Sequence, residues 1–306
     1  MIVGVDIGGT KIAVGLVDDK GQVHARAECP TEPERGFPDG LERIAALTRG
    51  LPPVNDIPAR GIGIGCTGPV FPESGIIGNV DFLPGWENAP IVAELERRFG
   101  LPVAMENDAD AAALGEWMWG AGRDVRTFLY VTISTGIGVG LIVDGQLYRG
   151  VDGAHPEIGH HVIDPAGPAC ACGAHGCWES LASGSAMQRW FRDNAPAEHS
   201  DMNLSAREIC TRADAHAKAT VARTGRYLGL GLANLVTLFT PEVIAIGGGL
   251  MRRRDLFWPQ IQETIQSSCG FVPREKVRLV PAALGDDVGI IGAACAWTLR
   301  YRSNQL

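Results

Sequence analysis

Short apolar runs that stop at glycine-rich turns set the pattern of this chain. Ile2 to Ile7 is a continuous apolar run and predicts a buried strand. It ends at Gly8-Gly9-Thr10-Lys11, and a second strand follows from Ile12 to Val17. The turn Asp18-Asp19-Lys20-Gly21 leads into a third strand, Val23 to Glu28. Residues 31–38 are polar and proline-rich and read as a loop, whereas Leu41 to Leu51 carries helical spacing. Arg60 to Gly65 predicts a strand before the turn Thr67-Gly68-Pro69, and Ala89 to Phe99 a helix stopped by Gly100 and Pro102. Pro102 to Met105 is the next strand. Asn107-Asp108 then caps an alanine-rich helix running to Trp119, with Asp110 expected to face solvent.

The opening pattern then returns. Val131-Thr132-Ile133-Ser134-Thr135-Gly136 parallels Val5-Asp6-Ile7-Gly8-Gly9-Thr10, and Val139-Gly140-Leu141-Ile142 parallels Val14-Gly15-Leu16-Val17. Each second strand meets an aspartate-containing turn with Gly-Gln, Gly21-Gln22 and Gly145-Gln146. The interval is far longer than a solenoid repeat, so the pattern predicts two similar domains, and ligands favour the cleft between such domains. Further on, Glu179 to Asn194 reads as helix and Ala195 to Leu204 as a polar loop. Ser205 opens a helix, and Ala213 to Phe239 is a long helical region with a break expected at Gly229 and Gly231. Val243 to Ile246 is a buried-type strand ending in Gly247-Gly248-Gly249; Asp255 to Ser267 is a helix and Val277 to Val280 a strand. The last helix, Gly289 to Leu299, is small and apolar and suited to packing back on the first domain. The expected domains are 1–118, joined by 289–306, and 119–288.

Composition narrows the function classes. A chain of 306 residues fits two domains, and 45% hydrophobic with 20% charged residues supplies a sizeable core. A net charge of −8 argues against nucleic acid as a partner, since the longest basic run is only Arg252-Arg253-Arg254. No secretory leader is expected at the N-terminus and no apolar run is long enough to span a bilayer, so a cytoplasmic protein with no membrane partner is expected. Eight cysteines, three of them clustered, fit a reducing compartment better than a disulfide framework.

That cluster is the strongest chemical signal. Cys170, Cys172 and Cys177 alternate with Gly173 and Gly176, and His160, His161 and His175 are near. Zinc takes four nitrogen or sulfur ligands in a tetrahedron, and three cysteines with one histidine form a standard structural set. Both His160 and His175 are available as the nitrogen ligand. Such a metal would anchor Glu157 and Glu179, two carboxylates suited to holding hydroxyls of a polar ligand. Three glycine turns at strand ends add a nucleotide cleft: Gly8-Gly9 with Asp6, Thr10 and Lys11; Thr135-Gly136; and Gly247-Gly248-Gly249. Backbone N–H groups in such turns can meet phosphate oxygens, although no Walker or Rossmann fingerprint is present. Asn107-Asp108, at a strand-to-helix junction, is a helix cap and equally a carboxylate placed to accept a proton from a hydroxyl.

These stretches resemble the ROK family of bacterial sugar kinases and repressors. The likeness rests on D-I-G-G-T-K from Asp6, E-N-D-A-D-A-A-A from Glu106, S-T-G-I-G-V-G from Ser134, and E-I-G-H from Glu157 followed by C-x-C-G-x-x-G-C-x-E up to Glu179. It runs from Val3 to Trp297 and is strongest toward glucokinases, with N-acetylhexosamine kinases close behind. The resemblance implies an α/β, two-domain actin/hexokinase-like (ribonuclease H-like) fold with an interdomain cleft. It also implies ATP, Mg2+ and a structural Zn2+, phosphoryl transfer to the 6-hydroxyl of a hexose or N-acetylhexosamine, and assembly as a homodimer or homotetramer. Position by position, it makes Asp108 the catalytic base. It places Asn107, Glu157, His160, Glu179 and Gly68 on the sugar side, and His160, Cys170, Cys172 and Cys177 on zinc, favouring His160 over His175. Asp6, Gly8, Gly9, Thr10, Lys11, Thr135 and Gly136 fall on the phosphates and Gly247, Gly248 and Gly249 on the adenosine. Two departures line the expected sugar pocket. Phe82 stands where many members carry Asn before Leu-Pro-Gly-Trp, leaving Asn79 or Asp81 to substitute, and His155-Pro156 precede Glu157 where smaller residues are usual. A sugar-sensing repressor of the same family is the alternative of a different class; it requires a helix-turn-helix ahead of the first strand, and here that strand begins at Ile2.

Overall fold

One strand order is used twice. The computed structural model describes residues 1–53, 57–80, 82–196 and 203–302; the expectation for Asp81 and much of that for the loop 195–204 lie outside them. The chain forms two compact units, one made of Met1–Arg126, Gly140–Pro156 and Ala282–Leu306, the other of Thr127–Val139 and Glu157–Pro281. The division after Arg126, rather than 118, and the return of Gly140–Pro156 to the first unit differ from the expected boundaries.

In the first unit, β1 (Ile2–Ile7), β2 (Lys11–Val17) and β3 (Val23–Pro30) form an antiparallel meander. Parallel strand β4 (Ile62–Cys66) adds to β1; the small hairpin β5 (Val70–Phe71) with β6 (Ile76–Ile77) follows; β7 (Val103–Asn107) then adds to β4. The order is β3-β2-β1-β4-β7. Strand alternation sorts the side chains of β1 to opposite faces. Val3, Val5 and Ile7 enter the core beneath helices α1 (Gly36–Gly50) and α2 (Ile91–Phe99). Ile2, Gly4 and Asp6 share the other face, which is covered by α3 (Asp108–Trp119) and the final helix α9 (Val288–Arg302). Burying each such aliphatic side chain is worth roughly 1.5–3 kcal/mol. On that face the helix lies so close that a Cβ on Gly4 would come within 2.1 Å of the Ile290 carbonyl oxygen. The fully buried Glu116 of α3 accepts backbone N–H bonds from Ala121, Ala283 and Leu284, which pins the segment leading into α9.

The second sheet has the order β10-β9-β8-β11-β12. Its members are β8 (Phe128–Ile133), β9 (Ile137–Val143), β10 (Gln146–Leu147), β11 (Val243–Gly247) and β12 (Arg278–Pro281). Again β11 is parallel to the hairpin's first strand, β8, and β12 is parallel to β11. In both sheets the sequence order is third, second, first, fourth, fifth. The duplication expected from the two hairpins thus extends to whole five-stranded sheets. The helices of the second unit are α4 (Trp178–Ala182), α5 (Gly184–Asp193), α6 (Ala206–Ile209), α7 (Ala215–Phe239) and α8 (Arg254–Ser268).

Besides the domain boundaries, and the break at Ser183 that divides the helix expected over Glu179–Asn194 between α4 and α5, three expectations need correction. Helix α1 begins at Gly36, inside the segment read as loop. Pro38 sits in its first turn, where a missing N–H costs nothing, and Arg43 donates to the Pro30 and Thr31 carbonyls and so folds the preceding segment onto the helix. Helix α7 runs unbroken through Gly229 and Gly231. Those glycines serve close packing: a Cβ on Gly229 would lie 2.6 Å from Thr264 Cβ of α8, and one on Gly231 would lie 2.1 Å from the buried indole of Trp178. Tertiary contact has overridden helix propensity. The third correction, Asp110, belongs to the site.

Candidate functional site

The C-terminal ends of parallel strands are where α/β sheets gather ligand-binding groups. In the first unit, Asp6-Ile7, Gly65-Cys66 and Glu106-Asn107 lie side by side in register at the ends of β1, β4 and β7. Asn107 is buried, and its Oδ1 accepts the N–H groups of Ala109 (2.9 Å) and Asp110 (3.3 Å), the expected cap of α3. The cap fixes Asp108 as the first helical residue, with its own carboxylate accepting the Ala109 N–H at 2.8 Å. Gly68 leaves room for the Asn107 amide: a Cβ there would lie 2.9 Å from Nδ2. Asp6 has its carboxyl pushed up to about 7, by burial first and then by the negative charge of Asp108, against the pull of Lys11 and Arg26. The Cys66 thiol between them is raised well above its usual range by burial and by the same two carboxylates, so it is inert.

The turn after β1 is closed by the Gly8 N–H donating to the Lys11 carbonyl, and Thr31 ties it further through Oγ1 to the Gly8 carbonyl. The Lys11 ammonium lies 3.2 Å from the Glu28 carboxylate. Phe82 is 60% exposed and rests on this turn: a Cβ on Gly9 would lie 2.9 Å from the Phe82 Cβ. Leu83 and Trp86, both buried, anchor the Phe82–Trp86 run, while Asn79 is exposed.

Asp110 is fully buried, contrary to expectation. The helical period takes it away from solvent and toward Arg149 and His155 in the Gly140–Pro156 segment. Arg149 pairs with Glu106 and, at 3.3 Å, with Asp110; His155 Nδ1 lies 2.9 Å from Asp110 Oδ2. Burial pushes the Glu106 carboxyl up to about 7, despite the pull of Arg149. The sequence held no local signal for this cluster, because its partners are far apart along the chain.

In the second unit the Ser134-Thr135-Gly136 turn is closed by the Ser134 N–H donating to the Gly136 carbonyl. Its Ser134 carbonyl accepts the Gly184 N–H at the start of α5. Glu179 joins this turn to the cysteine cluster. Its Oε2 accepts the Ile137 N–H at 2.8 Å, and a Cβ on Gly136 would lie 2.4 Å from the same oxygen. Its Oε1 lies 3.9 Å from His160 Nε2. The other ring nitrogen, Nδ1, lies 3.3 Å from Cys170 Sγ. The ligand atoms of His160, Cys170, Cys172 and Cys177 all fall within 4.8 Å of one another. A tetrahedron with zinc–ligand bonds of ~2.0–2.3 Å has edges of roughly 3.3–3.8 Å, so the set fits zinc after a small contraction. His175 is not part of this group, its backbone being bridged to Ala169. Amide donation from Ala174 lowers Cys172, while burial and the neighbouring thiols push Cys177 up to about 12.

The third turn packs against the second. Gly248 takes φ 91°, and a Cβ there would lie 2.4 Å from the Ile133 carbonyl oxygen. Beside the turns is a cavity of about 550 Å³ whose lining includes Thr135, Gln188, Ser205, Gly249, Arg252 and Arg253. Its size is that of a small-molecule site; at its edge Arg253 pairs with Asp255 and donates to the Cys210 carbonyl. Gln188, Ser205 and the two arginines escaped the sequence reading.

Paired hairpin-led sheets with glycine turns at their strand ends define the actin/hexokinase-like fold class. The chain belongs to the ROK family, whose model matches residues 2–300. A glucokinase of Thermotoga maritima is 34% identical over 96% of each chain. Among solved structures, a ROK hexokinase from Thermus thermophilus matches with a TM-score of 0.86 at 35% identity over 99% of each chain. A ROK family glucokinase from Streptomyces griseus, solved with glucose and AMPPNP, matches at 0.82 and 32% identity, covering 96% of this chain and 97% of that one.

Proposed function

We propose that this chain is an ATP-dependent hexose kinase that transfers the γ-phosphoryl group to the sugar 6-hydroxyl, with glucose as the first candidate. The observation that carries this reading is Asp108, held at the start of α3 in the same strand-end row as Asp6 and its glycine turn. The full-length likeness to glucokinases, one of them solved with glucose and an ATP analogue, supports it.

In this reading Asp108 orients the 6-hydroxyl and accepts its proton, and Asn107 and Gly68 border the sugar. Phosphoryl transfer passes through a loose transition state, so positioning and charge neutralisation supply most of the rate. The turns Gly8-Gly9-Thr10 and Thr135-Gly136 offer N–H and hydroxyl donors to the phosphates, and Lys11 adds a cation if it leaves Glu28. Gly247–Gly249 and the neighbouring cavity take the adenosine. Mg2+ would arrive with ATP and neutralise its phosphates; Asp6, whose carboxyl is destabilised by Asp108, is the group that would hold it. Glu157, His160 and Glu179 hold sugar hydroxyls; His160, Cys170, Cys172 and Cys177 would hold zinc, which would fix that wall and supply no step of the chemistry. Eight unbridged cysteines support a cytoplasmic setting, and a homodimer or homotetramer is the expected assembly.

An ADP-release assay over glucose, mannose, fructose, N-acetylglucosamine and N-acetylmannosamine, with ATP or polyphosphate as donor, tests the reading. Sugar-dependent ADP release with the highest kcat/KM on glucose supports it. Sugar binding without turnover on any member of the panel would instead favour a sensor of the repressor type.

A further inference from the structure

The β7–α3 junction is gripped from both sides by one side chain. Arg149 reaches Glu106 with Nη2 and Asp110 with Nη1, at 3.3 Å. Glu106 and Asp110 flank Asn107-Asp108 in the chain. A planar guanidinium holds two carboxylates in fixed relative positions, which an ammonium on a flexible stem does not. His155 adds a second contact on Asp110, at ion-pair distance though outside linear hydrogen-bond geometry. The cluster is well shielded: Asp110 is fully buried and the His155 side chain only 13% exposed. Among the described residues Asp110 Oδ1 has no hydrogen-bond partner. A buried carboxylate left half-satisfied costs stability, so a chain that only needed a stable helix start could place an alanine there.

We propose that Arg149 and His155 are positioning residues that set the orientation of Asp108 by clamping Glu106 and Asp110 on either side of it. This rests on Asp108 being the base. The clamp explains why a fully buried acid, Asp110, and a largely shielded one, Glu106, stand on either side of that residue. It also gives the Gly140–Pro156 segment a task within its own unit. Arg149 acts on the last turn of strand and the first turn of helix together, so the angle between them, and with it the Asp108 carboxylate, follows the fork.

The test compares Arg149→Met, Arg149→Lys, Asp110→Asn and His155→Gln in the full chain, with kcat and sugar KM scaled to the folded fraction from thermal melts. Misplacement of a reacting group by about 1 Å costs ~100-fold in rate. We expect Arg149→Met to lower kcat by ~10- to 100-fold with sugar KM changed less than about threefold. Arg149→Lys, which keeps the charge but loses the fork, should not restore it. In an Asp108→Ala background, Arg149→Met should cause no further loss of residual activity. Wild-type kcat in properly folded Arg149→Met and Asp110→Asn overturns the proposal, as does full rescue by lysine or a multiplicative loss in the Asp108→Ala background. Should Arg149→Met fail to fold, Arg149→Lys and His155→Gln carry the same comparison. If Asp108→Ala itself turned over normally, the fault would lie with the assignment of the base.

Discussion

The two sheets share one strand order, yet the chemistry at their strand ends differs. In the first unit the ends of β1 and β7 carry Asp6, Glu106 and Asp108, and burial pushes two of these acids up to about 7. In the second unit, β12, the counterpart of β7, ends at Pro281 and continues through Ala282 and Ala283 with no acid in that place. There the turn after β8 is instead supported by Glu179, whose carboxylate is satisfied by the Ile137 N–H and which adjoins a ligand set for zinc. One copy of the scaffold stores destabilised carboxylates, which suits proton transfer and cation binding. The other sets a single acid, Glu179, on holding a turn, beside a group of one histidine and three cysteines whose geometry could take a metal. Duplication supplied the frame, and the residues just beyond the strand ends divided the labour.

The sharpest way to break that comparison is Asp108→Ala. Loss of a general base costs ~100- to 10,000-fold, so kcat should fall by about three orders of magnitude while sugar affinity, measured by calorimetry, stays within a few-fold. Retention of kcat would show that the acids of the first unit are structural.

The complementary cut removes the metal from the second unit. Native protein should contain one zinc per chain by elemental analysis. Cys177→Ser or chelation should lower the melting temperature and raise sugar KM by about tenfold or more, with a smaller effect on kcat, because Glu179 and His160 lose their anchor. A metal-free native protein, or a loss confined to kcat, would move the zinc set out of the recognition wall.

Much of this division was legible in the sequence, and the exceptions share a cause. Strands, the Asn107 cap and the repeated hairpin depend on neighbours in the chain or on a short spacing and stand as expected, and the three cysteines do come together with His160 in space. Asp110 was misread because a lone acid one turn into a helix is usually solvated; its burial depends on Arg149 and His155, remote in sequence. Gly229 and Gly231 were misread as breakers because their reason lies in Thr264 and Trp178. The cavity residues Gln188, Ser205, Arg252 and Arg253 come from three separate segments, and no local pattern joins them.

The smallest effect concerns Asp6 and is read from stability. A free aspartate ionises near 3.8, and folding raises Asp6 to about 7. Between those values the folded chain keeps a proton that the unfolded chain has released. Stability therefore falls as pH rises through that window, by at most ~1.4 kcal/mol per pH unit, and levels off above about 7. Glu106, also raised to about 7, acts in the same direction and leaves a residual slope. Asp6→Asn removes one ionisation and keeps the shape of the side chain. With nucleotide and divalent cations absent, the variant should melt a few degrees above wild type at pH 8, on the order of 2–4 °C per kcal/mol. At pH 5, where the wild-type group holds its proton, the gap should shrink. Added Mg2+ should stabilise wild type more than the variant at pH 8, since a cation relieves the Asp6–Asp108 pair that the substitution abolishes. An equal melting change at both pH values would mean that Asp6 ionises normally in the fold, and the contrast between the two sets of strand ends would then rest on Asp108 and Glu106 alone.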